Sequence, residues 1–228
     1  MFGVITYNTP HLKTEQLVKG LIGRGEEIGT LYALPFVPRP GREVVLNHRP
    51  DQSAGAHPRD MADKHGIRYV IPDNAATLSI HESLAIVAIG VIIPESVLAD
   101  TAVINCHPGL IPEVRGLDAF KWAIHAGQPL GTTLHYIDRH VDCGEIIYRE
   151  KTPVRPGDTI EQLAARHYEQ EMKLNINFRD YLPGLGQVLD HDGQPSNRRM
   201  PIAIEQEMLD RFPDYVNMFA SQPCGQEA

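Results

Sequence analysis

Three side chains in the middle of the chain have types and spacing suited to carbonyl chemistry: Asn105, His107 and, further on, Asp142. An amide at a strand end can donate a hydrogen bond to a developing oxyanion. A histidine two residues on projects to the same side of an extended chain. Its imidazole can donate to the same oxygen or shuttle a proton near neutral pH. A carboxylate from a nearby loop can hold the histidine's charge and orientation, or relay a proton. Together these groups suit addition of a nucleophile to a carbonyl, and no activated serine or cysteine is needed if the substrate brings its own amine. Spacing alone leaves a structural histidine as an equal alternative.

The elements that must position these groups are legible in the hydrophobic pattern. Residues 2–7 read as a buried first strand, broken by Asn8-Thr9-Pro10. Thr14 is placed to cap a helix over 15–25. Residues 28–34 and 67–71 read as strands, separated by a Pro-, Arg- and His-rich loop (35–55) and a short helix at 58–65. The uncharged run 84–89 suits a strand buried on both faces, and 94–99 suits a short helix with proline at its start. Residues 102–105 form another short strand, so Asn105 and His107 fall at its end. Alternation of this kind implies an α/β, Rossmann-like, doubly wound and mostly parallel sheet, in which ligands gather at the carboxyl ends of the strands. The second half reads as a helix (117–126), two strands (131–137 and 145–151) around a polar turn, and a long helix to about 178 capped by Thr159. Beyond Pro183 only 204–212 is amphipathic. The expected organisation is a domain over 1–182 and a short C-terminal extension over 183–228, suited to dimerisation.

Composition narrows the classes. The 228 residues carry a formal charge of −8 and three cysteines, Cys106, Cys143 and Cys224. A net negative chain disfavours a nucleic-acid binder, and three scattered cysteines fit a reducing cytoplasm better than a disulfide framework. Neither a zinc spacing nor a membrane-length apolar run of about 20 residues is present, and the first residues lack a signal-peptide pattern. No metal site is expected.

The segment Asn105-Cys106-His107-Pro108-Gly109-Leu110-Ile111-Pro112, followed by Arg115-Gly116, resembles the Asn-x-His-x-Ser-Leu-Leu-Pro…Arg-Gly signature of the folate-dependent formyltransferases. A second stretch, Gly131-Thr132-Thr133-Leu134-His135-Tyr136-Ile137-Asp138 and then Asp142-Cys143-Gly144-Glu145-Ile146-Ile147, resembles their second motif. The likeness covers roughly 84–178. It implies the formyltransferase fold, a catalytic set of Asn105, His107 and Asp142, and 10-formyltetrahydrofolate as cosubstrate. It further implies that the pterin lies between two loops, one carrying Gly90, Val91 and Ile93 and the other Ile137, Asp138 and Arg139. Asn8, Gly109 and Arg115 are the candidate substrate contacts. Gly109 stands where the family has serine, so that hydroxyl is missing from this chain.

The resemblance does not choose the amine. Family members acting on glycinamide ribonucleotide carry a Gly/Ser-rich phosphate loop after the first strand, unlike Tyr7-Asn8-Thr9-Pro10-His11. Those acting on initiator tRNA carry an extra C-terminal barrel and a basic surface, and the formyltetrahydrofolate hydrolases carry an N-terminal regulatory domain. What remains resembles the homodimeric N-formyltransferases of nucleotide-linked amino sugars. The alternatives are another small amine (an amino acid, hydroxylamine or ribonucleotide amine) or a folate-binding module without turnover. His135 could tune Asp142 or be a satisfied core histidine. Trp122 reads as packing, and Cys106 and Cys143 as small hydrophobes. Arg42, His48 and Arg49 in the long loop could meet a phosphate.

Overall fold

A computed structural model describes residues 1–38, 43–182 and 195–220. Seven strands form one sheet in the order β3-β2-β1-β4-β5-β6-β7. In chain order they are β1 (Phe2–Tyr7), β2 (Ile28–Leu34), β3 (Arg68–Val70), β4 (Leu84–Val87), β5 (Ala102–His107), β6 (Gly131–Tyr136) and β7 (Ile146–Lys151). The first five are parallel, and β6 and β7 run antiparallel to their neighbours. The helices are α1 (Leu12–Gly23), α2 (Pro58–His65), α3 (Glu95–Leu98), α4 (Ala119–His125), α5 (Ile160–Ile176), α6 (Phe178–Tyr181) and α7 (Ile202–Ala220). This is the doubly wound α/β architecture expected from the sequence.

The two-residue period of β5 sorts its side chains between two cores. Ile104 and Cys106 join Leu17, Leu21, Leu134 and Met172 in the core under α1 and α5. Val103 faces the other way, into a core with Ile5, Val87, Ile93 and Val97. Asn105 and His107 share the parity of Val103 and therefore lie on that face. A third core joins α4, the start of α5 and α7 through Phe120, Ile124, Leu163, Met208, Phe212 and Val216.

Several boundaries differ from the sequence reading, each for a local reason. Helix α1 starts at Leu12 and not at 15, because His11 is its cap: the His11 ring accepts from Thr14 N–H at 3.3 Å. The Thr14 hydroxyl instead turns inward to Thr6 at 2.6 Å. Strand β5 continues past 105 because β6 pairs with it as far as His107↔Thr133. Asn105 and His107 are thus in the strand, with His107 its last residue. Helix α7 extends well beyond 204–212 and runs through Pro213, its buried stripe continuing to Tyr215 and Val216. The expected 182/183 boundary borders residues 183–194, which lie outside the described residues, as do Arg42 and Cys224. Within the described part of the extension, the buried side of α7 packs on α4 of the same chain.

Candidate active site

Asn105, His107, His135 and Asp142 meet at one place. Antiparallel register puts Asn105 directly opposite His135 on β6. The His135 Nδ1 lies 2.9 Å from Tyr136 O, and a carbonyl only accepts, so Nδ1 carries the proton. Its Nε2 is left as an acceptor and takes a hydrogen bond from Asn105 Nδ2 at 3.3 Å. That bond fixes the Asn105 amide with its N–H groups toward the site. Burial pushes the His135 pKa well below the usual imidazole range, which favours the neutral ring this bond requires.

His107 is held in the opposite sense. Its Nε2 lies 2.9 Å from Val114 O, so Nε2 is the protonated nitrogen and Nδ1 carries the lone pair. Nδ1 lies 3.5 Å from Asp142 Oδ2. A proton gained at Nδ1 therefore appears facing a carboxylate, the arrangement that stabilises an imidazolium. The same Asp142 oxygen accepts from Gly116 N–H at 2.8 Å, while Oδ1 lies 3.7 Å from His135 Nε2. One carboxylate thus lies between two imidazoles, each almost fully buried. Asp142 has a φ of 51°, in the left-handed region that aspartate tolerates better than most residues.

Backbone groups complete this arrangement, and they carry no signature in the sequence. Val114 O and Gly116 N come from one loop. The preceding turn is pinned by Thr133, whose hydroxyl donates to Gly109 O at 2.7 Å and accepts from Ile111 N–H at 3.0 Å. A Cβ on Gly109 would stand 2.5 Å from Val114 O and 2.7 Å from His107 Nε2.

The other expected residues divide. Arg115 is buried beneath the Asp142 loop, donating to Val141 O at 3.3 Å and to the Cys143 sulfur. Asn8 accepts from Tyr69 OH at 2.8 Å. Gly90 O accepts from Tyr7 OH at 3.0 Å. Val91, Ile93 and Ile137 pack on one apolar cluster with Val103, beside the strand that carries Asn105. Ile137, Asp138 and Arg139 also line a cleft of about 520 Å³ with Glu95, Leu98 and Ala99; Gly90, Val91 and Ile93 do not line it. Cys106 points to the opposite face of β5 from His107, and burial raises its thiol pKa, so it is an inert core residue. His135 is a bonded core histidine that donates to Tyr136 O and lies 3.7 Å from Asp142. Among the described residues no His/Cys/Asp/Glu group could hold a metal ion, and no helix is long and apolar enough to cross a membrane.

Beside the site, Glu171 is fully buried and bridges two cations, Lys13 Nζ at 2.6 Å and Arg49 Nη2 at 2.7 Å. Burial opposes its charge, but Arg49 and Lys13 outweigh it and hold the carboxyl at about 2. His167 lies between this cluster and the turn that follows His107. Its Nε2 lies 3.2 Å from Pro108 O and its Nδ1 2.8 Å from the Thr152 hydroxyl. Burial lowers its pKa to about 4. His48 stacks on Phe120 with ring centroids 5.4 Å apart.

The chain is similar to known proteins in sequence and in fold. Residues 71–178 match the profile of the family described as formyl transferase. The chain is 41% identical over 73 residues to a phosphoribosylglycinamide formyltransferase of Haemophilus influenzae, covering 32% of this chain and 34% of that protein. It is 41% identical over 70 residues to the trifunctional purine biosynthetic protein adenosine-3 of Gallus gallus, covering 30% of this chain and 7% of that one. The matched stretch thus spans about a third or less of these relatives. A phosphoribosylglycinamide formyltransferase from Anaplasma phagocytophilum superposes with a TM-score of 0.56 at 22% identity, covering 83% of this chain and 94% of the other. A sugar N-formyltransferase from a Shewanella species gives 0.57 at 18%, covering 86% and 76%. At these identities the two structures establish the shared fold.

Proposed function

We propose that the protein, whose residues 71–178 match the formyl transferase family, transfers a formyl group from 10-formyltetrahydrofolate to a primary amine, most readily that of a nucleotide-linked amino sugar. The observation that carries the transfer reading is the cluster of Asn105, His107, His135 and Asp142, in which His135 orients the Asn105 amide and His107 Nδ1 faces the Asp142 carboxylate at 3.5 Å. The apolar wall of Val91, Ile93 and Ile137 beside β5 suits a flat heterocycle, and these residues, with Gly90, Asp138 and Arg139, would hold the donor. When bound, the donor supplies the electrophilic formyl carbonyl.

The side chains then have separate tasks. Asn105 Nδ2 donates one hydrogen to His135 and presents the other to the carbonyl oxygen on which negative charge develops. His107, protonated at Nδ1, donates to the same oxygen while Nε2 stays on Val114 O. Asp142 holds the imidazolium, takes a proton from the attacking amine and returns it to the departing folate nitrogen. Asn8, Gly109 and Arg115 border the amine side, with Arg115 acting through the loop it supports.

The identity to phosphoribosylglycinamide formyltransferase over 73 residues favours a second reading, a ribonucleotide amine. Against it stands the first turn of α1, where a doubly wound sheet offers N–H groups to a phosphate. His11 N–H donates to Ala56 O, Thr14 N–H to the His11 ring and Glu15 N–H to His11 O. Gly55 lies so close over Leu12 that a Cβ would meet its backbone. The chain itself thus covers the place where a phosphate would bind.

The test is incubation with 10-formyltetrahydrofolate and a panel of nucleotide-linked 3- and 4-amino sugars, glycinamide ribonucleotide and simple amino acids, read by mass spectrometry. A formylated amino sugar is the expected product. Formylation of glycinamide ribonucleotide alone would replace the sugar reading, and donor binding without any product would point to a folate-binding module. The same preparations, sized by light scattering, test a homodimer in the cytoplasmic setting proposed for this chain.

A further inference from the structure

The Val114–Asp118 loop gives one backbone atom to each catalytic partner: Val114 O to His107 and Gly116 N–H to Asp142. Its far side is bound to a segment far away in sequence. Asn197 N–H donates to Arg115 O and Leu117 N–H donates to Asn197 O, both at 2.9 Å, a parallel bridge between Gly116 and Asn197. Three residues on, Met200 N–H donates to Asp118 Oδ2 at 2.9 Å, and the Trp122 indole donates to Arg198 O at 2.7 Å. Arg199 adds a long ion pair to Asp118, at 4.0 Å. Met200 is fully buried in the α4–α7 core, which anchors the segment. Gly116 has a φ of 88°, and any Cβ there would collide with the Asn197 backbone. The loop and the segment therefore fit only as a pair.

We infer that residues 197–200 clamp the active-site loop, and that Asp118 and Trp122 are positioning residues acting through Gly116 on Asp142. The inference rests on the proposed formyl transfer for its catalytic consequence, but not for the clamp itself. The physical link is short. Releasing residues 197–200 frees 115–118, and Asp142 then loses the fixed N–H that sets its distance from His107. Displacements of about 1 Å at a proton-transferring group can cost up to about a hundredfold in rate. The donor binds on other walls of the cleft, so the loss should fall on kcat and leave the donor KM in place.

Two independent variants release the clamp. Asp118→Gly removes the acceptor for Met200 N–H, and glycine accepts the left-handed φ of 54° at that position. Trp122→Phe removes the donor to Arg198 O and keeps most of the ring. Asp118→Asn retains both an acceptor oxygen and a residue at ease with that φ. In steady-state kinetics each releasing variant is expected to lower kcat about tenfold with KM for the donor within about twofold, and Asp118→Asn to stay within about threefold of the parent kcat. Hydrogen exchange of the Gly116 amide should accelerate in the first two proteins and not in the third. Faster exchange with unchanged kcat would overturn the positioning role. Unchanged exchange in both releasing variants would overturn the clamp. Failure of the parent protein to formylate any amine would remove the functional reading, and exchange alone would then decide the clamp in the same way.

Discussion

Gly109 lies against the edge of the His107 imidazole so closely that a Cβ would stand 2.7 Å from Nε2. The same Cβ would stand 2.5 Å from Val114 O, the acceptor that fixes the His107 tautomer. The serine of the family signature does not fit here without moving one of those two atoms. The glycine is therefore part of how this chain seats its histidine.

Gly109→Ser should separate His107 from Val114 and disturb the nitrogen that faces Asp142. We expect kcat to fall about five- to tenfold, since losing one directed hydrogen bond costs on the order of 1–1.5 kcal/mol. Stability should fall by about 1–3 kcal/mol, as for other overpacked sites. Steady-state kinetics beside thermal unfolding measure both. A serine variant with parental kcat would show that the His107–Val114 contact is not needed.

Asp142→Asn tests the proton path with little risk to the fold, because asparagine tolerates the left-handed φ of 51°. It can still accept from Gly116 N–H, but it can neither balance an imidazolium nor carry a proton. Turnover should drop by about 10²–10⁴ while the unfolding temperature changes little. Single-turnover formyl transfer at the parental rate would remove Asp142 from the mechanism.

What the sequence made legible here, and what it hid, follows from where the chemistry resides. Asn105, His107 and Asp142 were visible because side chains announce their chemistry and a strand's period fixes which of them share a face. The same period explains Cys106, one residue from His107 yet in the other core. Val114 O, Gly116 N and residues 197–200 were hidden because backbone groups are alike at every position, and only the folded chain selects them. The start of α1 differs from the sequence pattern because its cap is an imidazole and not the hydroxyl of Thr14. The amphipathic stretch 204–212 stops short of Pro213, a residue that ordinarily ends a helix, whereas packing on α4 carries α7 onward.

Buried neutral histidines make stability depend on pH in a defined direction. Burial holds His167 at about 4 and lowers His135 well below an ordinary value of about 6.5. The unfolded chain takes up protons at these residues below pH 6.5, and the folded chain does so only nearer 4. Stability is therefore fully present above 6.5 and is lost as pH falls through this window. At pH 5.5 each fully buried histidine should cost about 1.4 kcal/mol, so these two should lower the melting temperature by at least about 6–12 °C relative to pH 7.5, with His48 and His11, also lowered by burial, adding in the same direction. Calorimetry across that range measures it, and a flat profile would mean that the rings become protonated in place. Glu171 adds its own loss only below about pH 4.5, so the two effects are separable.

The ion triad of Lys13, Glu171 and Arg49 supplies a last test, because its members differ in access to water. Glu171 and Lys13 are buried, whereas Arg49 keeps partial exposure. Removing the one anion leaves Lys13 charged in a site that no longer compensates it. Glu171→Gln should therefore destabilise by about 3–5 kcal/mol, the usual result of breaking a buried pair on one side. Arg49 can turn to solvent, so the 43–56 segment that it ties to α5 should loosen first, seen as faster hydrogen exchange near Leu46 and Gln52. The paired replacement Lys13→Met with Glu171→Leu removes both buried charges and should recover much of the loss. A Glu171→Gln protein with an unchanged urea midpoint would mean that Lys13 finds another partner or gives up its proton.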